Sequence, residues 1–337
     1  MKVSRKIKLF LRCCGMMLPV MIAISCEHNN PEDQNPRHST DFPEFITPIE
    51  KYFKINIAGN HSVDGSTYRL KISGMVNHPA EFSLEQLRHF KMIQKTVTIE
   101  CIDNNNNGNL VGTVTWKGFD LYRLLDSLGI QDGVKFVKYH CSDGYFTYNT
   151  VEELKNGGVL AALYMNGETM PEIYGFPLRV IFPGYYGVRQ PGWVVEIELL
   201  DKGVKDFWGE TQFDKWNTDS TLALDSKIFF PASLDTFTLG EKVKVGGAAY
   251  GSKRISSVNI TVDDGKTWIP ASIKQSMDED YVWVFWEAEF TPHSAGAIII
   301  KAKATATDGR VQPSGDPNYL DGINSWPART IIVKDAN

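Results

Sequence analysis

Hydrophobic and polar positions change their pattern along the chain. Between residues 49 and 212, β-branched runs such as TVTIEC and LRVIFP are mixed with short amphipathic segments. SLEQLRHF has Ser83 and Gln86 at the spacing of a helix-capping box, and FDLYRLLDSLG carries leucines on one face before Gly129. Because strands and short helices are interspersed without a regular βαβ order, this segment is predicted to be an α+β domain.

The pattern from residue 219 to residue 337 contains no convincing helix. Strand-length runs, including EKVKVGGAAYG, YVWVFWEAEF and AIIIKAKATATDG, are separated by turns rich in Gly, Pro and Asp. This pattern predicts an all-β domain, an immunoglobulin-like sandwich.

The first 48 residues have neither pattern. A basic start is followed by thirteen uncharged residues, CCGMMLPVMIAIS, which are too few to span a bilayer, so residues 1–25 are predicted to be a signal peptide. Small residues precede Cys26, and we expect an exported bacterial lipoprotein, periplasmic or in the cell envelope, with a diacylated Cys26 as membrane anchor. Cleavage nearby with Cys26 unmodified is the alternative. The polar, Pro-rich residues 26–48 are predicted to form a flexible tether.

Charge and motifs exclude several classes of function. The chain has a net charge of −5, and removing the signal peptide removes five basic residues and no acidic one. So acidic a chain is a poor binder of phosphate backbones, and no nucleic-acid partner is expected. GxSxG, HExxH, P-loop and GxGxxG motifs are absent from the sequence, which argues against hydrolases, zinc proteases and dinucleotide-binding enzymes.

Two cysteines remain in the predicted folded part, Cys101 and Cys141. Outside the cytoplasm, two such cysteines form a disulfide by default. Cys101 ends the run TVTIEC directly before an asparagine-rich turn, and the absence of common catalytic motifs leaves any partner of this thiol unidentified at this point.

Several segments in order resemble the sulfite oxidase family of molybdenum cofactor enzymes. They are IECIDN, TWKGFDLYRLLDSLGI, KYHCSDGY and LYMNGETMPEIYGFPLRVIFPGYYGVRQPGWVVEIEL. The later segments VKVGGAAYG, VNITVDDGKTW, WVFWEAEF and KATATDGRVQP resemble the dimerisation domain of that family. The resemblance spans residues 49–337 and implies a molybdenum cofactor with a single pterin dithiolene, and a homodimer.

The resemblance also implies the site residues. Cys101 is expected to be the metal ligand and a catalytic residue, because a thiolate is a soft anionic donor. A catalytic hydroxyl is expected from Tyr145 or Tyr148, between which the spacing does not choose. The residues expected to bind the cofactor are Asn56, Cys101, Asn104, Asp143, Arg179, Arg189, Gln190 and Gly192.

Departures from the family pattern bear on the substrate. Ile55 and Ile57 stand where an arginine and a histidine are common, Asn105 replaces a further arginine, Tyr174 replaces a histidine, and Gly192 stands where a lysine often precedes the tryptophan. Each lost guanidinium removes charge-assisted bonds worth ~1.5–3 kcal/mol to an anion. We therefore expect oxygen-atom transfer on a neutral small molecule, such as a sulfoxide or an N-oxide.

Alternatives and partners complete the expectations. A sulfite oxidase using other cations, for example Lys54 or Arg189, is one alternative. A cofactor-free surface lipoprotein that acts as a binding module, with a Cys101–Cys141 disulfide, is another. The sequence has no haem or flavin motif, so a separate electron-transfer partner is expected, either a cytochrome or a quinol-linked protein.

Overall fold

A computed structural model describes residues 39–57, 59, 61–211 and 216–336. The predicted signal peptide and Cys26 lie outside these residues, so their assignment stays a prediction. None of the helices in the described ranges is both long enough and apolar enough to cross a membrane.

The first domain contains two sheets and short helices. Within the described residues its strands are β1 Arg69–Gly74, β2 Ala80–Ser83, β3 Met92–Glu100, β4 Val111–Asp120, β5 Phe136–Cys141, β6 Phe146–Thr150, β7 Leu160–Met165, β8 Glu168–Thr169, β9 Arg179–Ile181 and β10 Val194–Leu200. The helices are α1 Leu84–Arg88, α2 Leu121–Ser127, α3 Val151–Gly157 and α4 Phe207–Glu210. One sheet has the order β2-β1-β10-β5-β6, and the other has the order β3-β4-β7-β8 with β9 paired to β7. The mixture of strands and helices confirms the α+β prediction.

Both predicted helices are present. Ser83 and Gln86 form the capping box at the start of α1, in which each side chain bonds the other residue's backbone N–H. Asp120 caps the start of α2, and Gly129 follows its end with φ +80°, a conformation that glycine adopts without strain.

Two apolar clusters form the core of the first domain. One apolar cluster contains side chains of β1, β5, β7 and β10 together with leucines of α1, α2 and α3. A second cluster packs against β3, β4 and β7 and includes Tyr52, Trp116 and Tyr174. This second cluster forms the floor of the candidate site described below.

The second domain is a sandwich of two sheets, as predicted. Within the described residues its strands are β11 Asp225–Phe230, β12 Thr236–Thr238, β13 Val243–Tyr250, β14 Ile255–Thr261, β15 Ile269–Pro270, β16 Ser272–Gln275, β17 Val284–Phe290, β18 Gly296–Ala306 and β19 Ala328–Lys334. The sheets have the orders β11-β13-β17-β16 and β12-β19-β18-β14-β15. Alternating apolar residues from both sheets fill the space between them.

The segment before the first domain differs from the predicted tether at its carboxyl end. Phe42 stacks on Phe285 of the second domain with ring centroids 5.2 Å apart. Phe45 is buried, and its carbonyl accepts a hydrogen bond from the Trp283 indole at 2.9 Å. The prediction of a flexible tether up to residue 48 is therefore wrong for residues 42–48, because composition does not reveal aromatic side chains that have a docking surface on the distant second domain.

Candidate active site

A cavity of about 840 Å³, including its opening to solvent, lies against the second apolar cluster of the first domain. Four segments that are distant in sequence form its walls, namely residues 52–57, 143–145, 173–179 and 187–193. Cys101 completes the wall at the end of β3. Six of the residues expected to bind the cofactor or metal line this cavity: Asn56, Cys101, Asp143, Arg179, Gln190 and Gly192.

Cys101 has a fixed backbone position. It follows β3, which pairs with β4 along its whole length, and its N–H donates to the Leu110 carbonyl at 2.9 Å. The side chain is buried with 8% exposure. Cys141 is also buried, at the end of β5, and the two cysteines are not joined. The disulfide alternative is therefore wrong for this structure.

Arg179 is the first residue of β9 and carries a charge that no carboxylate of the described residues neutralises. One guanidinium Nη donates to the Tyr174 carbonyl at 3.0 Å, and the group lies 5.7 Å from the centre of the Trp116 ring. No ion pair involves Arg179 within the part of the chain that the structure describes. Burial lowers the pKa of the guanidinium below its ordinary value. A desolvated cation that faces a cavity is suited to bind an anionic group such as a phosphate.

Four buried polar atoms around the cavity make no hydrogen bond to any described residue. They are Tyr52 Oη, Asn56 Oδ1, Arg179 Nε and Trp193 Nε1. Leaving a buried polar atom without a partner costs ~1–3 kcal/mol, so such atoms concentrated in one place indicate a polar ligand. One thiol, an unneutralised guanidinium and these donors and acceptors fit a phosphorylated pterin whose metal takes a single protein ligand. Across the described residues, no cluster of three metal-binding side chains is present.

Asp143 and Tyr145 occupy the turn between β5 and β6. The Tyr145 N–H donates to Asp143 Oδ1 at 3.0 Å, and burial raises the pKa of this carboxyl group. The Tyr145 hydroxyl donates to the Val188 carbonyl at 2.5 Å, and burial also raises its pKa. This hydroxyl therefore holds the 187–193 wall in place.

Gly192 lines the cavity and packs directly on Gly175. A Cβ built at Gly192 would lie 2.8 Å from Gly175 Cα, which is closer than real side chains approach. A lysine at this position would therefore displace the loop. The Gln190 side chain bonds the backbone N–H and carbonyl of Phe182, so the peptide backbone of this segment is what it presents to the cavity.

Three predicted site residues do not line the cavity. Asn104 is buried. Its side-chain Nδ2 donates to Glu100 at 2.8 Å, and its side-chain Oδ1 accepts a hydrogen bond from the Leu110 N–H. It shapes the turn after Cys101, and its assignment to the cofactor is corrected to a structural role. The Tyr148 hydroxyl donates to Asp219, and neither residue lines the cavity.

Arg189 is the third of these residues. Its guanidinium is 1% exposed and lies 2.5 Å from Asp219 Oδ1 and 3.4 Å from Glu153 Oε2. Because these carboxylates neutralise it outside the cavity, Arg189 does not supply the cation that the sulfite alternative requires. Lys54, the other cation named for that alternative, does line the cavity.

The sequence reasoning missed Tyr52, which lines the cavity, and His61, which contacts the lining residue Trp193. Tyr52 contributes its unpartnered hydroxyl, and nothing in its sequence context marks it. His61 Nε2 lies 2.8 Å from Ser142 Oγ, and its ring packs edge-on against Trp193 with centroids 5.5 Å apart. His61 lies only four residues beyond Ile57, the position where the family pattern has a histidine, and this proximity was an available signal.

Comparisons with known proteins agree with this geometry. The family model "Oxidoreductase molybdopterin binding domain" matches residues 57–208, and "Mo-co oxidoreductase dimerisation domain" matches residues 217–331. The sulfite oxidase of Arabidopsis thaliana is 24% identical over 84% of this chain and 86% of its own. The mitochondrial sulfite oxidase of Homo sapiens is 25% identical over 86% of this chain, which spans 62% of the human protein.

Two further similarities extend the range of relatives. The nitrate reductase of Hordeum vulgare is 23% identical over 80% of this chain, which spans 37% of that protein. Among solved structures, the sulfane dehydrogenase SoxCD from Paracoccus pantotrophus superposes with a TM-score of 0.78 at 20% identity, covering 88% of this chain and 85% of that one. At this identity the superposition shows a shared fold.

Proposed function

Because the chain is a molybdenum-dependent oxidoreductase of the sulfite oxidase family, we propose that it transfers an oxygen atom from a neutral sulfoxide or N-oxide. The balanced reaction converts a sulfoxide, two electrons and two protons into a sulfide and water. The observation that carries this proposal is the wall formed by Ile55, Ile57 and Tyr174, which stand where the family pattern has an arginine and two histidines.

Cys101 is proposed as the thiolate ligand of molybdenum, and Arg179 as the partner of an anionic group of the pterin cofactor. When bound, the cofactor supplies two-electron oxygen-atom transfer. The chain's own residues orient it. Asn56, Tyr52 and Trp193 offer hydrogen-bonding atoms that have no partner among the described residues.

The hydroxyl groups of the cavity walls also bear on which substrate is favoured. The Tyr174 hydroxyl lies 2.7 Å from the Tyr52 carbonyl and 2.8 Å from the Ile49 carbonyl, so its proton is engaged with backbone and not available to an anion. Tyr145 is similarly engaged with Val188, which argues for a wall-holding role and against proton donation from the present rotamer.

Sulfite oxidation is the second candidate function, and Lys54 favours it. Lys54 lines the cavity, and no ion pair neutralises its ammonium group within the described ranges. Together with the positive charge of Arg179 it is able to attract an anionic substrate.

We further propose that the enzyme is an exported lipoprotein held at a membrane through Cys26. Its electrons would then come from a separate cytochrome or quinol-linked protein. A homodimer through the second domain is supported by the match of that domain to a dimerisation family.

Metal analysis on the protein purified from its own host, beside Cys101→Ser, tests the cofactor proposal. We expect about one molybdenum per chain in the native protein and its loss in the variant. Native protein without molybdenum would refute the proposal.

Turnover assays then separate the two substrates. With a reduced viologen as electron donor, we expect reduction of dimethyl sulfoxide or trimethylamine N-oxide. With cytochrome c as acceptor, we expect no oxidation of sulfite. Sulfite turnover that falls in Lys54→Met, with no sulfoxide or N-oxide reduction, would select the sulfite oxidase reading instead.

A further inference from the structure

The residues on both sides of Cys101 are held by the second domain. Glu100, directly before it, has its carboxylate 3.1 Å from Lys227 Nζ, and the Tyr250 hydroxyl donates to the same oxygen at 2.7 Å. Ile102, directly after it, is 2% exposed in an apolar cluster that includes Tyr250 and Phe285.

The charges in this contact are almost fully buried. Lys227 and Glu100 are 1% and 2% exposed, and Lys227 Nζ also lies 2.8 Å from Asp225 Oδ2. The Gln312 amide donates to the other Asp225 oxygen at 2.9 Å. Breaking a buried ion pair by removing one partner is strongly unfavourable, so this contact allows little movement of Glu100.

The turn beyond Cys101 is attached to the same domain. Lys227 Nζ donates to the Asn105 carbonyl at 3.1 Å. Asn107 adopts a left-handed conformation with φ 56°. Its side chain accepts a bond from the Ile228 N–H at 2.7 Å and donates to the Ala328 carbonyl at 3.0 Å. The asparagines thus connect the turn to β11 and β19.

From these contacts we propose that the second domain fixes the position of the Cys101 sulfur, with Lys227 and Asn107 as positioning residues. Its role is then to complete the active site as well as to provide any contact between subunits. The inference rests on the proposed function, because it assumes that Cys101 is the ligand of the metal.

Lys227→Met and Asn107→Gly test the proposal in the full-length protein. Glycine retains the left-handed conformation but removes both side-chain bonds, so Asn107→Gly is the milder change. Lys301→Met, which removes a surface ion pair with Asp264 in the same domain, is the matched control. If Lys227→Met does not fold, Asn107→Gly alone decides the outcome.

The first readout is alkylation of Cys101 in cofactor-free protein, followed by mass spectrometry of the peptide that carries it. We expect at least one of the two variants to react about tenfold faster than wild type, because local opening exposes a buried thiol in proportion to its equilibrium population. The control should react at the wild-type rate.

The second readout is the electron paramagnetic resonance spectrum of the one-electron-reduced molybdenum centre. A displaced ligand shifts or broadens this spectrum, whereas a contact that only adds stability lowers the unfolding temperature and leaves the spectrum unchanged. Wild-type alkylation rates and spectra in every folded variant would overturn the positioning proposal. Absence of molybdenum from wild-type protein would instead overturn the proposed function, while the alkylation result would still report on the turn.

Discussion

Replacing Arg179 by methionine separates a cofactor-binding arginine from a structural one. The guanidinium makes one hydrogen bond, to the Tyr174 carbonyl, and has no ion-pair partner among the described residues. Removing a buried, unneutralised charge relieves its desolvation cost, and losing one hydrogen bond costs ~1 kcal/mol. We therefore expect the free energy of unfolding of the cofactor-free variant to lie within about 1 kcal/mol of the wild-type value.

Cofactor retention should change much more than stability. A charge-assisted bond to an anionic group is worth ~1.5–3 kcal/mol, which corresponds to a factor of about 10 to 150 in affinity. The rate at which molybdenum and pterin are lost from the variant during dialysis should rise by the same factor of about 10 to 150. Mass spectrometry and pterin fluorescence follow this loss. Arg179→Lys should be intermediate, because lysine keeps the charge but not the planar fork.

Arg123→Met on the exposed surface of α2 is the control, and it should change neither quantity. Wild-type retention of molybdenum in Arg179→Met would refute the reasoning. So would a cofactor-free variant that is destabilised by several kilocalories per mole, since that result would assign Arg179 to the fold.

Three further outcomes are expected. Gly175→Ala should lower the free energy of unfolding, measured by denaturant titration, by about 2 kcal/mol, because φ is +111° and the new Cβ would lie 2.6 Å from Gly192 Cα. Gly167→Ala is the control: φ is +86° there, but no described atom lies within 4 Å of the new Cβ, so the loss should be about half as large. Burial raises the pKa of Asp225 from 3.8 to about 7, so the stability it contributes is present below pH 3.8 and lost as the pH rises to 7. The unfolding midpoint should therefore fall as the pH rises through this window in wild type, and it should fall less in Asp225→Asn. Equal dependence of the midpoint on pH in the two proteins would show that Asp225 is not the titrating group. Tyr148→Phe should leave molybdenum content and turnover unchanged, because its hydroxyl bonds a carboxylate outside the cavity, and a large loss of turnover would restore it as a catalytic residue.

Short motifs predicted several of the residues that meet at the candidate site, while their roles there stay predictions. Four of these residues are far apart in the chain but line one cavity, namely Asn56, Cys101, Asp143 and Arg179. Their meeting could be predicted because each belongs to a segment that resembles the family, and the family's fold gives each segment its place. The two helices were equally predictable, since capping residues and a leucine face determine them locally.

Asn104, Tyr148 and Arg189 lie away from the cavity for reasons that their sequence context does not show. Tyr145 precedes β6 and Tyr148 lies within it, and neighbouring positions of a strand point to opposite faces, so the choice depends on where the strand begins. Arg189 pairs with Asp219, which lies 30 residues further along the chain. Asn104 bonds Glu100, 4 residues before it, and the Leu110 N–H, so its partners belong to its own turn. The sequence does not distinguish such a bond within the turn from a bond to the cofactor.

The bond between Asn107 and the Ala328 carbonyl joins positions 221 residues apart. At ~5–20 residues per second, the ribosome needs roughly 11 to 44 seconds to make the intervening chain. The turn after Cys101 therefore reaches its final conformation only when β19 has been synthesised and has paired with its neighbours. A cofactor that recognises the finished cavity would then enter only completed chains, and a truncated product would not consume it.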